Sequence, residues 1–285
     1  MIKIKTYKLN YKLIIYILLI FVIAVMVFTY SVANAKTENG IELPIIMYHS
    51  VLKSRSGDYI VHPSEIENDL QYIQSKGYTT ITMTDLINYV YNGTDIPEKP
   101  IIITFDDGYY NNLGYVVPIL KKYNMKAVIS IVGSYTDTYT KSNETNLNYS
   151  YLRWQDIKYM LQEGYVEFQN HTYNLHSYKN GRKGCKKKSW ESTEKYRNLL
   201  IEDVGKLQKE FKENTGYVPN TFTYPYGAIS KESLPIIKEM GFKASLSCTS
   251  GVNFITKDTG CLYQLKRNNR VSGISSAQFF EKIIK

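Results

Sequence analysis

The stretch IIITFDDG, residues 101–108, joins an unbroken apolar run to two adjacent carboxylates and a glycine. A continuous apolar run of this length is typical of a strand that is covered on both faces, as in a parallel sheet. Asp106 and Asp107 then stand at the carboxyl end of the strand, where the loops of an α/β barrel form its active face. The stretch therefore predicts a central strand that ends in a candidate site.

Short apolar runs and amphipathic segments alternate on both sides of this stretch. Strands are predicted at residues 44–48, 78–81, 101–105, 127–132, 166–169, 221–224, 243–246 and 262–266. Helices are predicted at residues 63–74, 84–91, 112–123, 154–162, 192–213, 231–240 and 275–284. This repeated order predicts one α/β domain, residues 44–285, with a mostly parallel sheet that forms either a barrel or an open sheet. About seven such units fit a complete or nearly complete barrel.

The first 35 residues have the composition of an export signal. They contain no acidic residue, an apolar run at residues 13–28, and four lysines, Lys3, Lys5, Lys8 and Lys12. The run is followed by Ala33-Asn34-Ala35, so the pattern indicates either a signal peptide cut after Ala35 or an uncleaved anchor that contacts the membrane through residues 13–30. In both cases the rest of the chain is expected outside the cell, secreted or attached to the cytoplasmic membrane or cell wall. Residues 36–43 are polar and predict a linker.

The composition excludes several classes of protein. With 44% hydrophobic and 21% charged residues, the chain is neither disordered nor a multi-pass membrane protein. The net charge is +9, and outside the first 35 residues 31 basic residues face 26 acidic ones, an excess too small and scattered to indicate nucleic-acid binding. Three cysteines cannot form a disulfide framework, and the sequence leaves open whether Cys248 and Cys261 pair or stay free.

Two histidines follow the predicted strand at residues 166–169, in the sequence HTYNLH. Taken alone, His171 and His176 could be solvated loop residues, and Asp106 and Asp107 could cap the next helix. Taken together, two imidazoles and a carboxylate suit Zn²⁺ or a similar divalent ion, with the remaining positions left to water. We therefore expect a metal site where the two strands end.

Two further motifs follow strands. In the turn Tyr224-Pro225-Tyr226-Gly227, the proline fixes one backbone angle and the glycine permits an unusual one. Such a turn can aim the N–H of Tyr226 into the site as a donor to an oxyanion, although it could also be an ordinary turn. His49 follows the first strand and is either a packed structural residue or a general acid, since its ordinary pKa lies near working pH.

The motifs TFDDG at residues 104–108, HTYNLH at residues 171–176 and YPYG at residues 224–227 together resemble the polysaccharide deacetylases of the NodB-homology group, carbohydrate esterase family 4. The resemblance covers about residues 44–270. It implies a distorted (β/α)7-type barrel that removes acetyl groups from N-acetylhexosamine polymers. It also implies that Asp107, His171 and His176 bind Zn²⁺, with Co²⁺, Ni²⁺ or Mn²⁺ as alternatives.

The resemblance also implies the catalytic roles. Asp106 is the general base that takes a proton from metal-bound water, and the N–H of Tyr226 helps the metal to hold the oxyanion. A protonated histidine then donates a proton to the leaving amine.

The sequence departs from the commonest members of the family in two places. Thr223-Tyr224 replaces the usual arginine before Pro-Tyr-Gly, and no histidine follows His176. Both departures and the early sequence MYHS, residues 47–50, resemble the branch that deacetylates poly-β-1,6-N-acetylglucosamine, in which the early histidine is the acid. That role is therefore assigned to His49, and Arg267, in preference to Arg270, is expected to orient Asp106.

The function predicted is thus an exported metal-dependent N-deacetylase of poly-N-acetylglucosamine or peptidoglycan. Tyr224, Pro225 and Trp190 are the expected substrate contacts. The lysine-rich loop at residues 177–190 is predicted to be a solvated loop, with contact to an anionic wall polymer as the alternative. Two other functions remain open at this point: a catalytically inactive glycan-binding cell-wall protein, and an anchored structural protein in which a metal only fixes loops.

Overall fold

The computed structural model describes residues 11–35 and 40–284 and divides into two units, Met1–Gly40 and Ile41–Lys285. The first unit contains one helix, α1 (Tyr11–Ala35). The structure describes the side chains of residues 14–27 of this helix without a gap. Among the described residues, no helix is both long and apolar enough to cross a membrane. Lys3, Lys5, Lys8 and the linker positions 36–39 lie outside the described residues.

The second unit contains twelve short strands and eight helices among its described residues. The strands are β1 (Ile41–Leu43), β2 (Ile45–Tyr48), β3 (Ser50–Val51), β4 (Ile60–Val61), β5 (Thr79–Thr80), β6 (Pro100–Asp107), β7 (Ala127–Ile131), β8 (Val166–Asn170), β9 (Thr221–Thr223), β10 (Ala244–Leu246), β11 (Asn253–Ile255) and β12 (Asn268–Asn269). The helices are α2 (Pro63–Ser75), α3 (Met83–Asn92), α4 (Val117–Tyr123), α5 (Gly133–Ser142), α6 (Trp154–Glu163), α7 (Thr193–Thr215), α8 (Ser233–Glu239) and α9 (Ser276–Phe280). A π-helical turn, Asn112–Val116, leads into α4.

The main sheet is parallel and has the strand order β10-β9-β8-β7-β6-β2-β12, with β5 also paired to β6. One segment near the carboxyl end contacts two distant strands: Leu265 pairs with Leu246 of β10 in an isolated bridge, and Asn268–Asn269 pair with β2. The sheet therefore curls into a half-barrel, which confirms the predicted α/β class with its mostly parallel sheet.

The central strand β6 is buried along its whole length and separates two apolar clusters. Ile101, Ile103 and Phe105 belong to a cluster that includes residues of α2 and α4, whereas Ile102 belongs to a second cluster with Val128 of β7. Because side chains alternate along a strand, Thr104 and Asp106 lie on the same face as Ile102. This alternation turns Asp106 away from the α2 and α4 side of the sheet.

Several predicted boundaries are wrong. The linker does not extend to residue 43, because Ile41–Leu43 forms a strand paired antiparallel to β11, with Leu43 completely buried. The strand expected at residues 262–266 is replaced by the 3₁₀ turn Thr259–Leu262 and the two-residue strand β12. Helix α5 is not among the predicted helices, because its sequence is polar and only Gly133 and Thr136 are buried.

Candidate active site

Three potential metal ligands that are far apart in the sequence converge at the ends of β6 and β8. The ligand atoms of Asp107, His171 and His176 all lie within 4.8 Å of one another. Oδ1 of Asp107 is 3.6 Å from Nε2 of His171 and 3.2 Å from Nε2 of His176. The structure thus brings together the three residues that the sequence analysis assigned to one metal ion.

The backbone explains how two adjacent carboxylates face one cavity, since neighbours on a regular strand point to opposite sides. Asp107 has a φ of 72° and Gly108 a φ of 76°, so the chain enters the left-handed region where β6 ends. A Cβ at Gly108 would lie 2.7 Å from Cγ2 of Ile131, which excludes a larger residue there. This local strain is of the kind that is retained at functional sites.

The protonation of His171 suits a metal ligand. Burial lowers the pKa of His171 to about 4, although Asp106 acts in the opposite direction, so the imidazole is neutral at pH 7. Its Nδ1 lies 2.8 Å from the carbonyl oxygen of Thr223, which can only accept a hydrogen bond. Nδ1 therefore carries the proton, and the lone pair of Nε2 faces Asp107.

These side chains fit a divalent cation. Oδ1 of Asp107 is buried and has no hydrogen-bond partner among the described residues, and it faces the lone pair of His171. A buried anionic oxygen left unpaired in this way is costly, and a cation would remove that cost. Two imidazole nitrogens and one carboxylate oxygen form a ligand set that accepts Zn²⁺ and related divalent ions.

His176 is held by Tyr226. The hydroxyl of Tyr226 lies 3.2 Å from Nδ1 of His176, and the two ring centroids are 4.3 Å apart. Tyr226 has a φ of 57° inside the turn Pro225–Gly227, and a Cβ on Gly227 would lie 2.8 Å from Cβ of Cys248. The predicted turn thus places the Tyr226 side chain against a metal ligand, a contact that the sequence did not indicate.

Asp106 is bound by Arg267 through two hydrogen bonds. The guanidinium donates to Oδ1 and Oδ2 of Asp106, both at 2.8 Å, and its Nε donates to the carbonyl oxygen of Ser247 at 2.8 Å. Both side chains are buried. Burial raises the pKa of Asp106, but Arg267 more than offsets this and holds it below its ordinary value, so the carboxylate is ionised. Arg270 instead pairs with Asp69, 2.8 Å away.

His49 lines the same cavity, which has a volume of about 470 Å³. Its Nδ1 is buried and has no hydrogen-bond partner among the described residues. Its ring makes an edge contact with Tyr59 at a centroid distance of 4.8 Å. The cavity therefore contains an imidazole, the Asp106 carboxylate and the three potential metal ligands.

Sequence reasoning missed several residues that line this cavity: Tyr59, Tyr109, Tyr178, Lys183 and Cys248. Tyr109 follows the motif at residues 104–108, and Cys248 follows the end of β10, so position at a strand end could have indicated both. Tyr59, Tyr178 and Lys183 lie in loops, and nothing distinguishes these two tyrosines among the 27 in the chain.

None of the three expected substrate contacts lines the cavity. Tyr224 is completely buried and its hydroxyl lies 3.0 Å from Oγ of Ser233, so the expectation that its side chain contacts substrate is corrected. Pro225 is buried in the turn, next to Gly184. Trp190 is 76% exposed and does not line the cavity.

Cys185, Cys248 and Cys261 are all free, so the structure does not contain the disulfide that the sequence left open. Cys248 lies at the cavity, with its sulfur 3.9 Å from Nη2 of Arg267. Burial raises the pKa of the Cys248 thiol, which favours the neutral form.

A second cavity, of about 480 Å³, lies where β7 and β8 begin, and its lining includes Thr80, Asp85, Lys126 and Tyr165. None of the residues that line it is a histidine or a cysteine. The cluster of potential metal ligands therefore distinguishes the cavity around Asp106 from this one, although the two are similar in size.

Comparisons with known proteins agree on the family. The poly-β-1,6-N-acetyl-D-glucosamine N-deacetylase of Staphylococcus aureus is 28% identical over 190 residues, which cover 67% of this chain. The chain spans 61% of the length of that relative. A solved de-N-acetylase from Aggregatibacter actinomycetemcomitans matches with a TM-score of 0.71 and 23% identity, over 84% of this chain and all of the other.

The Streptococcus pyogenes deacetylase PplD, solved with acetate, matches with a TM-score of 0.69 and 20% identity, over 87% of this chain and all of the other. At these identities the two structures establish the fold alone. The polysaccharide deacetylase family model matches residues 93–245, which hold Asp106, Asp107, both histidines of the cluster and Tyr226. The family model matches more than half of the length of this chain. The chain therefore belongs to the polysaccharide deacetylase family.

Proposed function

We propose that this chain is an exported, metal-dependent N-deacetylase that hydrolyses the acetamide groups of poly-β-1,6-N-acetylglucosamine. One observation carries the proposal: the ligand atoms of Asp107, His171 and His176 lie within 4.8 Å of one another, in the cavity that also holds the Asp106–Arg267 pair. The name of the Staphylococcus aureus relative supports this polymer as the substrate. The lysines and apolar run of residues 1–35 support export, which N-terminal sequencing of protein from membranes and culture supernatant would check.

Asp107, His171 and His176 would hold the metal, and Zn²⁺ is the ion that their two nitrogens and one oxygen favour. When bound, such an ion polarises the acetamide carbonyl and lowers the pKa of water from about 15.7 toward about 7. The neutral state of His171 keeps its Nε2 lone pair available for this purpose.

Asp106 acts as the general base. Each of its oxygens accepts one hydrogen bond from Arg267 and keeps a second lone pair, which can take a proton from the attacking water. Arg267 fixes the orientation of the carboxylate and keeps it ionised. A positioned base of this kind contributes about 10²–10⁴-fold to the rate.

His49 and Tyr226 complete the reaction. His49 is the imidazole in the cavity that is not part of the metal cluster, and it donates a proton to the leaving amine. The N–H of Tyr226 donates to the developing oxyanion, a contribution of about 10²–10³-fold in other hydrolases. The left-handed conformation at Tyr226 supports this orientation of the turn.

The test is acetate release from a poly-β-1,6-N-acetylglucosamine oligomer by the purified chain, measured with Zn²⁺ and with a chelator. We expect chelation and His171→Ala each to abolish acetate release, and His171→Ala also to lose the single Zn²⁺ bound by the wild-type protein. His62→Ala is the matched control, because His62 only caps α2 and should leave both measurements unchanged.

Acetate release that persists in His171→Ala or without metal would overturn the proposed mechanism. Oligomer binding without acetate release in any metal would instead favour the inactive glycan-binding protein. Urea unfolding, measured beside the metal titration, distinguishes a lost site from a misfolded variant.

A further inference from the structure

The loop between β8 and α7 carries an unusual charge. Residues 177–191, the basic loop, contain Arg182 and five lysines, Lys179, Lys183, Lys186, Lys187 and Lys188, and the only acid among them is Glu191. The reaction proposed above uses none of these residues. The basic loop therefore needs an explanation beyond the catalytic chemistry.

The basic loop has a defined shape. Arg182 donates to both oxygens of Glu191, at 2.9 and 2.6 Å, and to the carbonyl oxygen of Lys186 at 2.9 Å. The N–H of Lys187 donates to Oγ of Ser230 at 2.8 Å. A Cβ on the buried Gly184 would lie 2.7 Å from the carbonyl oxygen of Pro225, so the loop packs closely against the turn beside the metal cluster. Lys183, which precedes Gly184, is consequently held at the cavity.

The lysine charges are not neutralised by the protein. Arg182 occupies both oxygens of Glu191, and the backbone N–H of Lys188 also donates to Oε2 of Glu191. In the part of the chain that the structure describes, however, no lysine Nζ of the basic loop lies within 4.0 Å of a carboxylate oxygen. Lys183 lines the cavity that contains Asp106 and the metal cluster. The mouth of the cavity therefore presents unpaired positive charge to an incoming polymer.

Two of the lysines are paired with exposed aromatic rings. Nζ of Lys183 is 5.9 Å from the ring centroid of Tyr178, and Nζ of Lys188 is 5.5 Å from the ring of Trp190. The two rings are 63% and 76% exposed. Tyr178 also packs on Tyr226, with 4.6 Å between ring centroids, which connects the first pair to the catalytic turn.

We propose that the basic loop selects glycans that carry anionic substituents, carboxylates or phosphates, next to the acetamide that is cleaved. The rings of Tyr178 and Trp190 offer flat apolar surfaces to sugar rings, and the neighbouring ammonium groups of Lys183 and Lys188 reach an anion on the same sugar. This inference rests on the proposed deacetylase function and narrows its substrate to anionic polymers.

The test compares matched poly-β-1,6-N-acetylglucosamine oligomers of one length: unsubstituted, O-succinylated and O-phosphorylated. We expect the wild-type protein to show a higher kcat/KM on the two anionic oligomers, with a preference that declines as salt is raised. Succinylated and phosphorylated oligomers separate carboxylate from phosphate recognition. An equal or lower kcat/KM on both anionic oligomers would overturn the inference.

Two variants test whether the basic loop causes the preference for anionic oligomers. In Lys183→Gln/Lys188→Gln the ratio of kcat/KM for anionic over neutral oligomer should fall by about two- to fivefold per lysine, the usual range for exposed charge pairs. Lys209→Gln removes an exposed lysine on α7, outside the loop, and should keep the wild-type ratio. If the double variant keeps the wild-type ratio of kcat/KM values, the basic loop does not cause the preference.

A binding measurement keeps this inference separate from the proposed activity. Because Trp190 is exposed and Trp154 is buried, tryptophan fluorescence should report oligomer binding at the loop. Tighter binding of anionic oligomers without acetate release would support the loop inference while contradicting the deacetylase proposal. Equal binding of neutral and anionic oligomers would contradict the loop inference alone.

Discussion

Two buried arginine–aspartate pairs differ in what surrounds them, although their arginines are three residues apart. Arg267 binds Asp106 with two contacts of 2.8 Å, and Arg270 binds Asp69 with contacts of 2.8 and 3.2 Å. All four side chains are essentially inaccessible to solvent. Asp106 nevertheless lines the cavity with the metal cluster, whereas Asp69 lies on the buried face of α2, where it binds Arg270 of the carboxyl-terminal segment.

The difference lies in the remaining hydrogen-bonding capacity of each pair. Asp69 accepts a third hydrogen bond from the hydroxyl of Tyr48 at 2.8 Å, and Arg270 also donates to the carbonyl oxygens of Val271 and Ile274. This pair therefore joins α2 to the end of the chain. Among the described residues, the Asp106 carboxylate accepts hydrogen bonds from Arg267 alone, so it can still accept a proton. Burial and pairing alone do not distinguish the two carboxylates, whereas free lone pairs facing the cavity support the proposal that Asp106 is the base.

The largest expected effect separates the two aspartates. Asp106→Asn removes the base and should lower kcat by about 10²–10⁴-fold in folded protein. Asp69→Asn leaves Arg270 buried without its counter-charge, so the free energy of unfolding should fall by about 3–5 kcal/mol while activity per folded molecule is unchanged. Acetate release and urea unfolding, measured on both variants, make the comparison.

Asp106→Asn should also lose stability, because Arg267 is then unpaired, so activity must be normalised to the folded fraction. A folded Asp69→Asn protein without activity would show that the two pairs are not functionally distinct. Full activity in Asp106→Asn would exclude this residue as the base.

A smaller effect is expected when each arginine is replaced by lysine, which keeps the charge but cannot donate two parallel hydrogen bonds. Arg267→Lys should misorient Asp106 and lower kcat by up to about 10²-fold, with little change in KM. Arg270→Lys should cost about 1.5–3 kcal/mol of unfolding free energy and leave kcat unchanged. Steady-state kinetics and urea unfolding check both, and equal kcat values in the two variants would contradict the positioning role of Arg267.

The sequence predicted the parts of the site that depend on strand ends. The apolar runs that form β6 and β8 are unambiguous. Because parallel strands bring their carboxyl ends to one edge of the sheet, Asp106, Asp107 and the two histidines had to lie near one another. Strand ends alone could not predict their convergence on one point, because it depends on left-handed backbone at Asp107 and Thr172. The assignment to one metal ion came from the residue types and the family resemblance.

Other errors follow from strand alternation. Tyr224 was expected to contact substrate, yet its hydroxyl points to Ser233 of α8, whereas the preceding residue, Thr223, contacts Ser130 across the sheet. The choice between Arg267 and Arg270 could not come from alternation, because β12 has only two residues. It rested on the family resemblance.

The smallest expected effect concerns Glu210, a partly buried carboxylate that has no arginine partner among the described residues. Oε2 of Glu210 on α7 is buried without a hydrogen-bond partner among the described residues, and Lys206 lies 3.8 Å from the other oxygen. Burial, together with the charge of Asp137, raises the pKa of Glu210 to about 7, the opposite of the direction that Arg267 imposes on Asp106. The pKa values of Glu210, which has no arginine partner among the described residues, and of Asp106, which has one, are therefore shifted in opposite directions.

Because folded Glu210 holds its proton more tightly than the unfolded chain does, its contribution to stability is complete below pH 4.5 and is lost as the pH rises through about 7. Glu210→Gln should remove this contribution, on the order of 1 kcal/mol after allowing for partial exposure. Urea unfolding of both proteins at pH 5 and pH 8 measures it, since the difference between wild type and variant cancels the titration of all other groups. If the two proteins lose the same free energy between these pH values, Glu210 is already ionised in the folded chain, and burial without arginine is not enough to protonate a carboxylate here.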